Sequence, residues 1–316
     1  MRTVRRTAVN SVISCVSLAT ALTLLGSASP AFADTDGATR AAAVVEQATG
    51  TGDLAPSEQA TGSAAKTTTS TEAGTVTVTA PRVATGDVKA TAADGTSLSL
   101  QMAKVKDVTG VRAGSGTVVY SDVATSTDLA VQPTTDGGAR TLITLKNAAA
   151  PTEQRFTLTL PKDARVIPDA TGGYHVVKPA GQGVSVTVGA IEAPWAKDAH
   201  GKPVATSYKL DGNQLIQQVE TNKDTAFPVV ADPKITWGNV TGTAYFTKGE
   251  TKAIAQNGAL TAMGTWALPP GLNIYVSSHA AAITTTAIKA RSADHCLKLK
   301  FAAGLFIPGE YSGGCN

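Results

Sequence analysis

Between residues 75 and 230, apolar side chains alternate with Thr or Ser in one short run after another. That period of two restricts the chain to an antiparallel β architecture. Thr75-Val76-Thr77-Val78-Thr79, Ser97-Leu98-Ser99-Leu100, Thr141-Leu142-Ile143-Thr144-Leu145, Phe156-Thr157-Leu158-Thr159-Leu160 and Val184-Ser185-Val186-Thr187-Val188 each give one apolar face and one polar face. Turn residues stand between them at Asp94-Gly95, Asp136-Gly137-Gly138, Gly172-Gly173 and Asp211-Gly212-Asn213. About ten such strands, with no helical window among them, predict a β-sandwich with one core.

Four segments follow from the composition. Residues 1–33 read as a signal peptide: Arg2, Arg5 and Arg6, an apolar run from about Val9 to Leu25, then Ala31-Phe32-Ala33. Cleavage after Ala33 is expected, by the general secretory route, since Thr7-Ala8-Val9 matches the twin-arginine motif poorly. The apolar run continues past Cys15, so that residue reads as filler of the signal core. Residues 34–73 are mainly Ala, Thr, Gly and Ser with scattered Glu and no aromatic residue, and are expected to be a disordered leader, with a short helix around Ala41 to Ala48 as the ordered alternative. Residues 74–230 form the sandwich, and 231–316 a small disulfide-closed α+β domain. A secreted, extracellular protein is the expectation.

Removing the signal alters the charge. The chain has 27 Lys and Arg against 24 Asp and Glu; three Arg leave with the signal, so 24 face 24. A nucleic-acid partner loses its electrostatic support. Cys296 and Cys315 remain, and in an oxidising compartment they are expected to pair. A loop of that length stabilises by about 3 kcal/mol in the chain-entropy treatment.

Tyr120-Ser121-Asp122-Val123, Asp128-Leu129-Ala130-Val131-Gln132, Ala193-Pro194-Trp195-Ala196-Lys197-Asp198 with Gly201-Lys202-Pro203-Val204, and Phe227-Pro228-Val229-Val230-Ala231-Asp232-Pro233 carry a resemblance. Residues 75–233 resemble a β-rich region common to secreted proteins of actinomycetes, where it precedes C-terminal domains of differing kind. The resemblance implies export and a carrier role, and brings no catalytic residue with it.

After Pro233 the pattern changes. Thr247 and Glu250 have capping-box spacing, so a helix should begin near Lys248 and end at Pro269. A second should run from about Leu272 to Arg291, followed by a strand over 296–301. Thirty-six consecutive residues, Ala253 to Ile288, contain no Asp, Glu, Lys or Arg. This uncharged hairpin, broken at Pro269-Pro270-Gly271, needs cover from the domain, a partner or a membrane. Residues 234–316 carry seven Lys and Arg against three acids, a balance of +4. Lys252, Trp266, His279, Lys289 and Arg291 are therefore the candidate surface or membrane contacts. Each arm is shorter than the ~20 residues of a membrane span.

Catalytic signatures are absent from the sequence. His175, His200, His279 and His295 occur in no metal or triad spacing, and Gly-x-Ser-x-Gly does not occur. Asp294 beside His295 is the one carboxylate–imidazole neighbour pair, though strand neighbours point to opposite faces. No metal or cofactor is expected, since the acidic turns are too short for calcium. Trp195 is expected to fill a loop between strands, with stacking on a sugar ring as the alternative. The sequence reads as a non-enzymatic secreted protein whose β-rich carrier presents the C-terminal domain to a partner or cell surface. A structural or adhesive wall-binding protein is the alternative, and a hydrolase of unrecognised type the third.

Overall fold

Every strand pair among the described residues is antiparallel, as the alternation requires. The computed structural model describes residues 35–316 apart from 72–73, 182, 239–242, 264–271 and 303–304. The expected signal peptide, Trp266 and the Pro269-Pro270-Gly271 break lie outside the described residues.

Helix α1 (Thr35–Thr49) precedes β1 (Glu58–Ala60), β2 (Ser63–Thr71), β3 (Gly74–Pro81), β4 (Val88–Ala92) and β5 (Ser97–Met102). Next come β6 (Val111–Ala113), β7 (Thr117–Ala124), β8 (Thr127–Pro133), β9 (Gly138–Leu145) and β10 (Glu153–Thr159). Then follow β11 (Arg165–Pro168), β12 (Tyr174–Pro179), β13 (Val184–Ile191), β14 (Ala196–Lys197), β15 (Thr206–Asp211) and β16 (Gln214–Val219). The chain continues through β17 (Val229–Ala231), β18 (Lys234–Trp237), β19 (Thr243–Phe246), α2 (Lys248–Asn257), α3 (Ala259–Met263) and α4 (Leu272–Ser292). It ends with β20 (Cys296–Ala302) and β21 (Leu305–Tyr311).

One sheet has the order β1-β2-β3-β4-β5-β10-β16-β15. The other runs β21-β20-β19-β13-β18-β9-β8-β7-β6, with β12 and β11 continuing from β13, and β17 and β14 from β9. Together they form a sandwich-like arrangement with a small helical C-terminal region. The alternation places Val76, Val78 and Ala80 of β3 inward and leaves its Thr residues at the surface. Phe156, Tyr120, Leu98, Leu100 and Trp237 fill the space between the sheets. Trp237 donates its indole N–H to the Thr96 carbonyl across that space at 3.0 Å, so the polar tip of this large side chain is satisfied.

Two expectations change. The leader is not disordered: α1 lies on the outer face of the larger sheet, and β1 and β2 extend the smaller one. Ala38, Ala42 and Val45 recur at helical spacing and bury against Val119, Ala130, Leu142 and Val230. That cover explains why all seven residues of β8 are buried, on both faces. Glu46 of α1 accepts from the Ser115 N–H at 2.7 Å and the Thr117 hydroxyl at 2.8 Å. Lys197 donates to the Ala48 carbonyl at 2.8 Å, satisfying an orphan acceptor at the C-terminal end of the helix.

The expected boundary near residue 231 runs through the larger sheet. β17 and β18 both pair with β9, on either side of Asp232-Pro233. β13 in turn pairs with β18 and β19. Residues 33–316 accordingly form one compact unit.

Candidate functional site

The C-terminal layer keeps the expected helix start at Lys248, the helix from Leu272 and the strand from Cys296, but the helix expected to run to Pro269 is broken at Gly258 into α2 and α3, and β21 is an added strand. Thr247 caps α2: its hydroxyl accepts from the Glu250 N–H and the Glu250 carboxylate accepts from the Thr247 N–H, a complete capping box. Gly258 stops α2 at φ 81°, a conformation that a side chain would strain. Ile254, Ala259, Met263, Val276, Ile283 and Ala287 pack over Ala244, Phe246, Leu297 and Leu299. One face of the uncharged hairpin is thus covered by the strands beneath it, including Val184 of β13.

The opposite face of that hairpin is not covered. Leu260 and Ile288 are 55% and 53% exposed, with Ala281, Ala282 and Thr285 also at the surface. Thr284, Thr285 and Thr286 each donate their hydroxyl to the carbonyl four residues back. Those hydroxyls are spent on the backbone, which makes the exposed face less polar than its sequence. His279 interrupts α4 with φ −119° and ψ 15°, and its Nδ1 lies 2.9 Å from the Ser278 hydroxyl. No helix among the described residues is long and apolar enough to cross a membrane.

The charges divide sharply. Glu250 is held in the capping box, Asp294 pairs with Lys248 at 2.9 Å, and Glu310 pairs with Lys289 at 3.2 Å. Lys234 lies between Asp136 and Glu192. Among the described residues, Lys252, Arg291, Lys298 and Lys300 make no ion pair, and Lys252, Arg291 and Lys300 are exposed. Lys298 and Lys300 were not singled out from the sequence, although the alternation in Cys296–Phe301 already puts both on the face opposite Leu297 and Leu299. Lys252 and Arg291 are on the helices; Lys298 and Lys300 are on the sheet. Lys289, in contrast, is engaged.

Cys296 and Cys315 form the expected disulfide, with S–S 1.98 Å and Cα–Cα 5.6 Å. It packs with Tyr245 and Tyr311 and also with Ile167 and Val177 of β11 and β12. Arg165 adds a hydrogen bond to the Gly314 carbonyl at 3.1 Å. The bond therefore fixes the C-terminal tail against the β-rich region, not against the helical layer alone.

Each histidine has its own local partners. Asp294 turns to Lys248 while His295 faces Glu310 at 3.5 Å, so these neighbours serve different partners. His175 stands 3.7 Å from Asp169; burial lowers its pKa, and the Asp169 carboxylate opposes that shift. His200 sits in a turn whose backbone N–H groups bond to Asp198. Among the described residues no cluster of His, Cys, Asp and Glu could hold a metal ion. Trp195 is no open sugar platform: it packs with Val45 beneath α1, and the Lys197 amine lies 5.4 Å from its ring centre.

A cavity of about 620 Å³ opens between α1 and the larger sheet, lined by Arg40, Val44, Ser121, Asp128, Thr144 and Lys146 among others. Asp128 is buried there and accepts from the Asp122 N–H at 2.7 Å and the Lys146 amine at 3.0 Å. The ladder between β7 and β8 is irregular between Tyr120 and Ala124, and Asp122 and Ser126 adopt positive φ of 55° and 48°. Nothing in the sequence alone announced this cavity, because its wall is the leader helix. No family model, curated protein or solved structure matches this chain.

Proposed function

We propose that this is an exported, non-enzymatic protein whose β-rich body holds a cationic C-terminal layer against an anionic cell-envelope surface. One observation carries the reading: within residues 234–316 every acid is engaged locally, while Lys252, Arg291, Lys298 and Lys300 make no ion pair among the described residues. The excess charge is therefore available to a partner. Export is supported by the signal-like order of residues 1–33 and by the resemblance of 75–233 to secreted actinomycete regions.

The mode of contact is adsorption. A hairpin with one face committed to a core cannot span a bilayer, but its other face can lie at the interface with Leu260 and Ile288 toward lipid. Each cation near an anionic surface contributes about 1 kcal/mol, weakened by salt within a Debye length of ~10 Å.

Co-sedimentation of the full chain with anionic and neutral vesicles tests this. Binding to anionic vesicles only, lost at high salt, is the expected result; equal binding to both, or to neither, overturns it. Replacing Lys252 and Arg291 with Gln weakens a membrane contact made through the helices. Replacing Lys298 and Lys300 instead weakens contact through the sheet face, the geometry a linear anionic wall polymer would use.

A further inference from the structure

Lys234 is the first residue of β18 and lies between two carboxylates. Its amine is 2.7 Å from Oδ2 of Asp136 and 2.8 Å from Oε1 of Glu192, and only 11% of its side chain is exposed. Asp136 sits in the turn joining β8 to β9, and Glu192 directly follows β13, so the three groups span neighbouring strands of one sheet. The Asp136 carboxyl is fixed: its Oδ1 accepts from the Thr134 hydroxyl at 2.6 Å and from the Gly138 N–H at 3.0 Å. At Gly138 a Cβ would stand 3.0 Å from that oxygen and 2.8 Å from the Ile235 carbonyl, so glycine is what permits the close approach.

We propose that Lys234 and Asp136 condense to an intramolecular amide, with Glu192 relaying the proton. The ammonium passes one proton within the ion pair to the Asp136 carboxyl, leaving a neutral amine beside a neutral acid. The free amine then attacks Cγ of Asp136. A C–N bond forms, Glu192 takes a proton from the attacking nitrogen, and it hands that proton to the hydroxyl that departs as a C–O bond of the carboxyl breaks. Ammonium plus carboxylate becomes amide plus one water, and no oxidant or further reactant is needed. The half-exposed sides of Asp136 and Glu192 leave the water a way out.

Fixed geometry is what makes the step accessible. Burial pulls the Lys234 amine down, but the hydrogen bonds of Asp136 and Glu192 outweigh it and hold the amine above its usual value. Burial raises Asp136, but hydrogen bonds from Lys234 and Thr134 outweigh that and hold it below the usual carboxylate range. The pair therefore starts charged, and the neutral tautomer is reached without exchanging a proton with solvent. Holding amine and carboxyl together supplies an effective concentration on the order of 10⁵–10⁸ M, and a positioned carboxylate adds roughly 10²–10⁴-fold by proton relay. The product would bind β18 covalently to the β8–β9 turn, next to Asp232-Pro233. It would close the body of an extracellular protein that otherwise has its disulfide only near the C-terminus.

Mass spectrometry of the full chain, purified in the folded state, then reduced and denatured, decides the question. The expected mass is one water below that of the sequence, and digestion should yield one branched peptide joining Lys234 to Asp136. Lys234→Arg and Glu192→Gln should each restore the full mass while circular dichroism shows the same β content. A wild-type chain at full mass after prolonged incubation in the folded state overturns the proposal. So does a water loss that survives in Lys234→Arg.

Discussion

Gln217 directs its Nε2 to Oδ1 of Asp232 at 3.3 Å in the interior between the two sheets, and both residues are fully buried. The same carboxyl oxygen accepts from the Trp195 N–H at 2.9 Å. Oδ2 of Asp232, Oε1 of Gln217 and the Tyr208 hydroxyl oxygen are buried beside them with no well-formed hydrogen bond. A proton on the carboxyl turns Oδ2 into a donor in a place where acceptors are in excess. Burial pushes the Asp232 pKa up to about 7, against the hydrogen bonds from Trp195 and Gln217 and the nearby Tyr208 hydroxyl.

Stability should therefore fall as pH rises through this window. Between the unfolded carboxylate pKa and about 7 the native state holds a proton that the unfolded chain has lost. The contribution is fully present below the unfolded pKa, and is lost as the pH climbs through the folded value. It is worth about 4 kcal/mol over the window. Urea unfolding of wild type and Asp232→Asn from pH 4 to pH 8 should show the difference between them moving in favour of the variant as pH rises. A constant difference would mean that Asp232 does not titrate there.

Glu46 anchors the leader helix, so Glu46→Ala should cost about 1 to 2 kcal/mol through the lost Ser115 and Thr117 bonds. Hydrogen exchange should rise at Ser115 and along α1 before it rises in β3 to β5. Unchanged protection of α1 would show that the apolar stripe of Ala38, Ala42 and Val45 holds the helix without the carboxylate.

That helix also shows where the sequence stops being legible. The strands were readable because Val and Leu alternate with Thr, a pattern with one physical solution. The capping box was readable because Thr247 and Glu250 satisfy each other locally. The Ala38, Ala42 and Val45 stripe had the right spacing, but small residues give little contrast between faces, and its value depends on a sheet assembled 70 to 190 residues later. Asp232 is a similar case: its partners Gln217, Tyr208 and Trp195 come from other strands and loops. At residues 294–295 adjacency in sequence misled, since pairing depended on Lys248 and Glu310.

Removing the disulfide should be felt on both sides of residue 233. Cys296→Ser with Cys315→Ser should cost about 2 to 4 kcal/mol. Because the bond packs on Ile167 and Val177, exchange protection should fall in β11 and β12 as well as in the tail. Loss confined to residues 296–316 would show that the tail is an independent flap.

The two faces of α4 should respond oppositely to substitution. Ile283 is fully buried in the helical layer, so Ile283→Ala removes core volume and should cost roughly 2 to 4 kcal/mol, read as a lower urea midpoint. Ala281 is exposed and lies seven residues, two helical turns, from the exposed Ile288, so Ala281→Asp should leave the midpoint nearly unchanged. If that outer face meets an anionic surface, the new carboxylate adds about 1 kcal/mol of repulsion, or about fivefold weaker binding to anionic vesicles. Ile288→Ala should weaken binding too, through lost apolar contact and with less dependence on salt. Unaltered vesicle binding in both outer-face variants, with the fold intact, would remove α4 from the contact and leave Lys298 and Lys300 on the sheet as the cations to test.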